Sequence, residues 1–535
     1  MLKKNFVLSI LISCLSIILF VSCQDSLNAG QSGTSIGSVD IDGDGTADGT
    51  AIDIDGDGVA DGIDTDGDGL IDEEWSDDYT ISDNESDSTS GESDSTSGET
   101  DSTSGETDTT SGETDTTAPA EVTNFKLTNV GKCTDSSSWY YNRNIIEFSW
   151  DDPSDSDLAK IIIKYGDYST EISKGEGSCT LSDIDTFDEF YAITLKTVDN
   201  SGNTSSGLEN LVFATSNDAV EPIYVTDSSA SNLNTVLNSN KAGYIILETD
   251  IDLDSYSWST IKNFTGVFDG NGHTISNFNT ISITDSNNVG FFTYLGVSSS
   301  YNPVIMNLMF KDCDLNVSSS SSTIGIISGA LGHGDIYNCG VSGSLKSTGS
   351  GVIGGLVALN KGTIENSFST VAVTTKDGYA GCFVGKTYGT ILRCYASGSV
   401  TYSESSSNSE VNFGGFTGDA GGTITNCYAT GSVSGDTKVG GFAGSISDGA
   451  KLTKSYSAVQ VSGNATTNGF AGSKGDSTVS NCYYNSSVAG VNSSYASDII
   501  LTDSGSFNNF DFDDIWSIDS SINNGMPYLT GMQPE

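Results

Sequence analysis

The sequence predicts an all-β protein, a small β-sandwich followed by a parallel β-solenoid, with an acidic stalk in front of both. Three observations carry this. First, near copies of one stretch, ITNCYATGSV at residues 424–433, return at Ile336, Ile364, Ile391, Leu452 and Val479. Second, apolar residues alternate with period two through Ile146, Phe148 and Trp150 and again through Tyr191, Ile193 and Leu195, between turn residues. Third, residues 24–117 hold 28 of the 71 Asp and Glu and no Lys or Arg, a composition that cannot build a core. A length of 535 residues calls for several domains. The formal charge of −50 excludes nucleic acid as a partner, because phosphates must be neutralised by Lys and Arg.

Residues 1–22 read as a secretory signal, with Lys3 and Lys4 ahead of an apolar run from Phe6 to Val21, then Ser22 before Cys23. The segment resembles a bacterial lipoprotein signal, which implies that Cys23 is lipidated and becomes the new N-terminus, with 23–38 as anchor and tether. Phe20 stands where that family prefers Leu, and an ordinary cleaved signal is the alternative. Gln24, where Asp would favour inner-membrane retention in some bacteria, points to the outer membrane or cell surface.

Residues 39–75 repeat Asp at cation-loop spacing. A hard cation takes six to eight oxygens, and acids at loop positions 1, 3, 5, 9 and 12 around a Gly at 6 supply them. Asp53, Asp55, Asp57, Gly58, Asp61 and Asp64 match fully. Asp40, Asp42, Asp44 and Asp48 lack the closing acid, where Ala51 stands, and Asp64, Asp66, Asp68 and Asp72 meet Trp75 there. The stretch resembles the tandem calcium repeats of thrombospondin type 3, which implies structural Ca2+ in metal-stapled loops. Residues 76–117, built on a seven-residue Ser/Thr/Gly/acid repeat, are expected to be a disordered linker with a reach of about 35 Å.

Residues 118–217 turn globular. The PAEVTNF entry, Trp150 on an early strand and Tyr191 leading into VDNSGNTS resemble a fibronectin type III domain, a binding module or spacer with no catalytic residues to transfer. Cys133 and Cys179 can form a disulfide outside the cytoplasm, with the pairing left open.

Residues 218–530 carry the repeats. Copy-to-copy spacings of 28, 27, 33, 28 and 27 indicate stacked units, the long interval holding the insertion YSESSSNSE. Between copies stand Gly-rich elements at Gly354, Gly381, Gly414, Gly440 and Asn468, so each period holds at least two strands and fits one solenoid coil. Parity from Cys427 puts Ala429, Gly431 and Val433 on one side, expected inside. Cys339, Cys394, Cys427 and Cys482, with Ser367 and Ser455, then form a buried thiol and hydroxyl stack. Asn338, Asn366, Asn426 and Asn481 form an amide ladder at a bend. The recurring IxNCYAxGxV and GG(F/L)xG, the entry FTGVFDGNGHTISNF and the closing WSIDSSINNGMPYL resemble the GLUG-motif repeats of bacterial surface proteins, including non-catalytic parts of IgA-specific metallopeptidases and large adhesins.

Nothing in the sequence assembles an obvious catalytic set. The two histidines, His273 and His333, sit in Gly turns without an HExxH, and Arg143 and Arg393 are the sole arginines. The opposite parity places Phe368, Tyr395, Tyr428, Tyr456 and Tyr483 in an aromatic stripe. If it faces out, it is a candidate ligand-binding surface for sugars or partner proteins; if the parity is inverted, it is core. The resemblances together imply a non-enzymatic, lipid-anchored protein of the bacterial cell envelope. It would serve adhesion or surface interaction, with membrane contact through its lipid and a glycan or protein as ligand. The alternatives are a carbohydrate-active β-helix enzyme and a structural surface layer without specific ligand. Calorimetric titration with Ca2+ is expected to show saturable binding with Kd on the order of 10⁻⁴ to 10⁻³ M; no heat at millimolar Ca2+ would remove the calcium assignment.

Overall fold

A computed structural model describes residues 115–534 apart from 183, 185–187, 217, 283–287, 299–301, 318–320, 404–410 and 464–465, together with the backbone of five strands between residues 34 and 82. The chain forms two compact units, residues 1–110 and 111–535. In the first, Thr34–Asp40 lies between Gly49–Asp53 and Thr80–Ser82, and Gly62–Asp64 and Glu73–Glu74 continue the sheet, every pairing antiparallel. Thr80–Ser82 falls in the segment expected to be disordered, yet its β-branched Thr80 and Ile81 pair with Asp40 and Val39. Asp40, Asp53 and Asp64 end strands. Asp42, Asp44, Asp48, Asp55, Asp57, Asp61, Asp66, Asp68 and Asp72 lie outside the described residues, as do the signal segment, Cys23 and the Ser/Thr/Gly repeat.

The second unit opens with a sandwich. Thr123–Lys132, Asn144–Asp151 and Ser178–Leu181 make a three-stranded sheet, and Leu158–Tyr165, Tyr168–Ser173, Glu189–Asp199 and Leu208–Ala214 a four-stranded one. Period-two alternation turns Ile146, Phe148, Trp150, Ile193 and Leu195 into the space between them, all buried. Cys133 and Cys179 are both free thiols, so the disulfide considered from the sequence is not formed. The sandwich is also no loose spacer. Its core is continuous with Tyr244, Ile246, Val267, Val304 and Met306 on the outer face of the first solenoid coils.

The solenoid begins at Ile223–Val225, and the helix Ala230–Ser239 closes its end with the buried Leu233 and Leu237. Three sheets run its length, each entirely parallel. One spans Ile261–Phe264 to Ala471–Lys474 in eight strands, one Asn288–Val289 to Thr466–Asn468 in seven, and the third holds the sequence repeat. The repeat register is kept without slip: Ile336, Ile364, Ile391, Ile424, Leu452 and Val479 stack in one inward row.

The Gly-rich element is the corner between the other two sheets. A Cβ on Gly414 would stand 2.1 Å from Thr417 O and 2.7 Å from Ala443 Cα, and one on Gly444 2.5 Å from the Phe413 nitrogen. Only Gly permits so close a passage of backbone past backbone. The aromatic between the glycines points inward, and Phe383, Phe416, Phe442 and Phe470 stack at 4.8, 4.8 and 5.2 Å between ring centroids. Phe416→Ala is therefore expected to cost about 3–5 kcal/mol in denaturant unfolding; a loss under about 1 kcal/mol would show that this ladder does not hold the core.

Candidate functional site

Each repeat bends at one residue with left-handed backbone. Asn307, Asn338, Asn366, Arg393, Asn426, Lys454 and Asn481 occupy that place, with φ between 47° and 54°. Asn dominates because its short polar side chain tolerates this conformation best among non-Gly residues. The carbonyls of Leu392, Thr425 and Thr453, two residues before a Cys or Ser, accept the N–H of the bend residue one coil earlier, at 3.2, 3.1 and 3.2 Å, and the Cys or Ser side chain adds a second donor to the same oxygen. Ser367 and Ser455 hydroxyls donate to Glu365 O and Thr453 O at 2.8 and 2.9 Å, and the Cys394 and Cys427 thiols to Leu392 O and Thr425 O at 3.1 and 3.2 Å. That shared task explains why Cys and Ser interchange. Burial pushes the Cys339 and Cys482 thiols up to about 12, so these are packing groups rather than nucleophiles.

One position further on, the side chain leaves the coil interior, and here the aromatic stripe stands. Phe368, Tyr395, Tyr428 and Tyr456 stack nearly parallel at 5.0–5.1 Å. It is not a free face. Residues beyond Ser497–Asp498, expected to complete the solenoid, instead run along its outside, and Leu501, Phe507, Phe510, Trp516 and Leu529 bury Tyr395, Tyr428, Tyr456 and Tyr483. Phe368 is half-buried beside them. Tyr456 OH donates to Pro527 O, and Asn523 Nδ2 donates to Tyr456 OH at 2.8 Å. The closing motif thus clamps the stripe, and the expectation of a ligand surface on Phe368, Tyr395, Tyr428, Tyr456 and Tyr483 is corrected: the apolar area of these rings already has a partner.

Between this C-terminal segment and the sandwich, the bend residues Asn307, Asn338, Asn366 and Arg393 remain open as a groove, whereas Asn426 is buried beneath Trp516. Two adjoining hollows of about 350 and 460 Å³ share Glu209, Leu211, Asn307 and Asn338. Strand Leu208–Ala214 of the sandwich forms one wall, and Asp514, Ile515 and Leu529 to Met532 form the other for the second hollow. The floor is a line of hydrogen bonds across coils. Asn338 Nδ2 donates to Asn307 Oδ1 at 2.8 Å, and Asn307 Nδ2 to Asp269 Oδ1 at 3.1 Å. Asn366 Nδ2 donates to Tyr337 OH and Arg393 Nε to Asn366 Oδ1, both at 2.8 Å. Arg393 is also paired with Glu365, and Phe190 of the sandwich stacks on Tyr337 at 4.4 Å.

The amide row was legible from the repeat, but Glu209, Leu211, Asp269, Tyr337 and Asp514 were not. Tyr337 holds the register position of Glu365 and Leu392, a clue available in the sequence. The two histidines are placed apart from this floor, His273 against Asp250 at 3.1 Å and His333 exposed. Among the described residues, Asp115, Asp157 and Asp199 bring carboxylate oxygens within 4.8 Å of one another at the edge of the sandwich, away from the groove lining.

Neither a known protein family nor a curated protein sequence matches the chain. Among solved structures it is similar to a putative immunoglobulin A1 protease from Bacteroides ovatus, at 21% identity and TM-score 0.38, over 58% of this chain and 91% of that one. An IgA1 protease aligns at 16% identity and TM-score 0.37, over 70% of this chain and 30% of that one. Pectate lyase PelI from Erwinia chrysanthemi, in complex with tetragalacturonic acid, aligns at 12% identity and TM-score 0.12, over 68% and 85%. Likenesses this slight assign neither activity nor ligand. The class the fold defines is an all-β protein with a parallel β-solenoid.

Burial raises Asp269 from the ordinary 3.8 to about 6, against the lowering pull of the Asn271 N–H and the Asn307 amide. Asp335 is likewise raised to about 6 by burial, eased by its bond to Thr363. A carboxyl whose folded pKa exceeds its unfolded value binds more protons when folded. Its contribution is complete below 3.8 and lost as pH rises through about 6. Asp269→Asn is therefore expected to remove a decline on the order of 2–3 kcal/mol between pH 4 and 7, read by denaturant unfolding; parallel pH curves for variant and wild type would show that Asp269 titrates normally.

Proposed function

We propose that the protein is a lipid-anchored, non-enzymatic surface protein that binds an extended polar ligand, a glycan or a protein segment, in the groove along the bend row. Cys23 carries the anchor at the bacterial envelope, Ca2+ stiffens the Asp loops, and the linker gives reach. The observation that supports the binding role is the line of amide, phenol and guanidinium groups across successive coils. Its spacing matches an extended polymer, with donors and acceptors for hydroxyl or peptide groups. Side chains already held by one another need little further ordering when a ligand lands on them. The groups best suited to chemistry are otherwise engaged. Arg393 is paired with Glu365, and Asp269 accepts from Asn271 N–H and the Asn307 amide, holding a turn.

A carbohydrate-active enzyme is the second reading, favoured by the raised pKa of Asp269 in a groove that also holds Glu209. One experiment separates the two. The full chain is incubated with neutral polysaccharides and with mucin-type and matrix proteins, and retention and cleavage products are scored together. Asn338→Gly and Asn366→Gly keep the left-handed bend but remove the amides. The double variant is expected to lose at least about tenfold in retention, about 1.4 kcal/mol, with no products from either protein. Products from the wild type that vanish in Asp269→Asn would overturn the binding reading in favour of catalysis.

A further inference from the structure

A second candidate contact surface lies on the sandwich, outside the groove. The loop between Thr123–Lys132 and Asn144–Asp151 carries Trp139 with 88% of its surface exposed and Tyr141 with 48%. The other described tryptophans, Trp150, Trp258 and Trp516, are buried. An indole held in water gains nothing from folding, since its large apolar face is worth most when covered.

The loop is also built rather than loose. At its base, Cys133 N–H donates to Arg143 O at 2.8 Å and Asn142 N–H to Cys133 O at 2.9 Å. Asp135 Oδ1 accepts from Ser137 N–H and the Ser137 hydroxyl at 2.8 and 2.7 Å. Ser138 Oγ accepts from Tyr140 N–H at 3.1 Å, Ser138 O from Tyr141 N–H at 3.2 Å, and Tyr140 O from Arg143 N–H at 2.8 Å. Asn142 completes the turn with φ of 64°. The backbone on both sides of Trp139 is thus fixed before any ligand arrives, which lowers the ordering cost of binding.

Composition narrows the ligand. Residues 134–142 read TDSSSWYYN, with no aliphatic side chain, and the one cation of the loop is the exposed Arg143 at its base. A loop that enters a bilayer needs aliphatic area, and one that sits on anionic headgroups needs a cluster of several cations. A chain of formal charge −50 also repels anionic polymers. What remains is flat aromatic faces ringed by Ser, Thr, Asn and Asp. A β-linked pyranose offers the complement: an apolar C–H face for the rings and equatorial hydroxyls for the polar rim. We propose that Trp139 and Tyr141 form a stacking platform for an uncharged, β-linked glycan.

The test is calorimetric titration of the full chain with cellohexaose and with N-acetylchitohexaose, alongside cosedimentation with phosphatidylcholine and phosphatidylglycerol vesicles. Saturable binding of at least one hexasaccharide is expected, weakened at least tenfold by Trp139→Ala and about threefold by Tyr141→Ala, and largely kept by Trp139→Phe. Melting temperatures should match the wild type in all three variants, because the replaced rings support no core. Absence of heat with both hexasaccharides, or unchanged affinity in Trp139→Ala, would overturn the proposal. So would vesicle binding that depends on Trp139 in place of sugar binding, which would make the loop a bilayer contact.

Discussion

One left-handed residue per coil, from Asn307 to Asn481, is the constraint on which the rest of the repeat face depends. The bend turns the strand so that the following side chain points in and the one after it points out. Where the inward residue is Cys or Ser, its side chain adds a second donor to the carbonyl two residues before it, while Leu308 fills the same place with apolar volume alone. The outward residue is free to be large, and stacking at 5.0–5.1 Å from coil to coil favours an aromatic there. The bend side chain itself lies along the outside edge, so a backbone requirement produces a row of amides as its by-product. In the groove, that by-product is the surface proposed above to meet a ligand.

The row becomes a groove only because two other parts of the chain stand on either side of it. The first coils carry apolar outward residues, Val267, Val304 and Met306, where the next two carry Asp335 and Tyr337, then Thr363 and Glu365, and the sandwich docks on that apolar area. At the other end, the C-terminal segment covers the Tyr stack with Phe507, Phe510 and Trp516. Both are hydrophobic closures of surfaces that the coil alone leaves open. The polar stretch between the two closures is what is left open. Burial also raises the pKa values of Asp269 and Asp335.

The two proposed contact surfaces differ in kind. The groove offers hydrogen-bonding groups at coil spacing and little exposed apolar area, whereas the Trp139 loop offers apolar faces on a fixed turn. Hydrogen bonds to a ligand replace hydrogen bonds to water and so select more than they attract. Aromatic faces gain from leaving water and attract without much selection. A surface protein that used both would hold a polymer by its rings at one place and read its polar groups at another.

The sequence by itself determined the coil. Its period, the Gly corners, the inward Cys and Ser row and the alternation in the sandwich strands are all local: each follows from side-chain parity, from backbone conformation or from a contact one coil away, and each repeats often enough to be read. It also marked the Asn row as a ladder at a bend and set the Tyr stripe opposite the Cys row, leaving open which of the two faced out. Whether an outward position meets water or another part of the chain is not a local property. Tyr428 and Trp516 are far apart in sequence, as are Phe190 and Tyr337, and their contacts depend on which apolar surfaces find each other when the folded pieces pack. Tertiary structure alone therefore decided that the aromatic stripe is closed, that the sandwich is fused to the solenoid, and that the open face is the polar row between them.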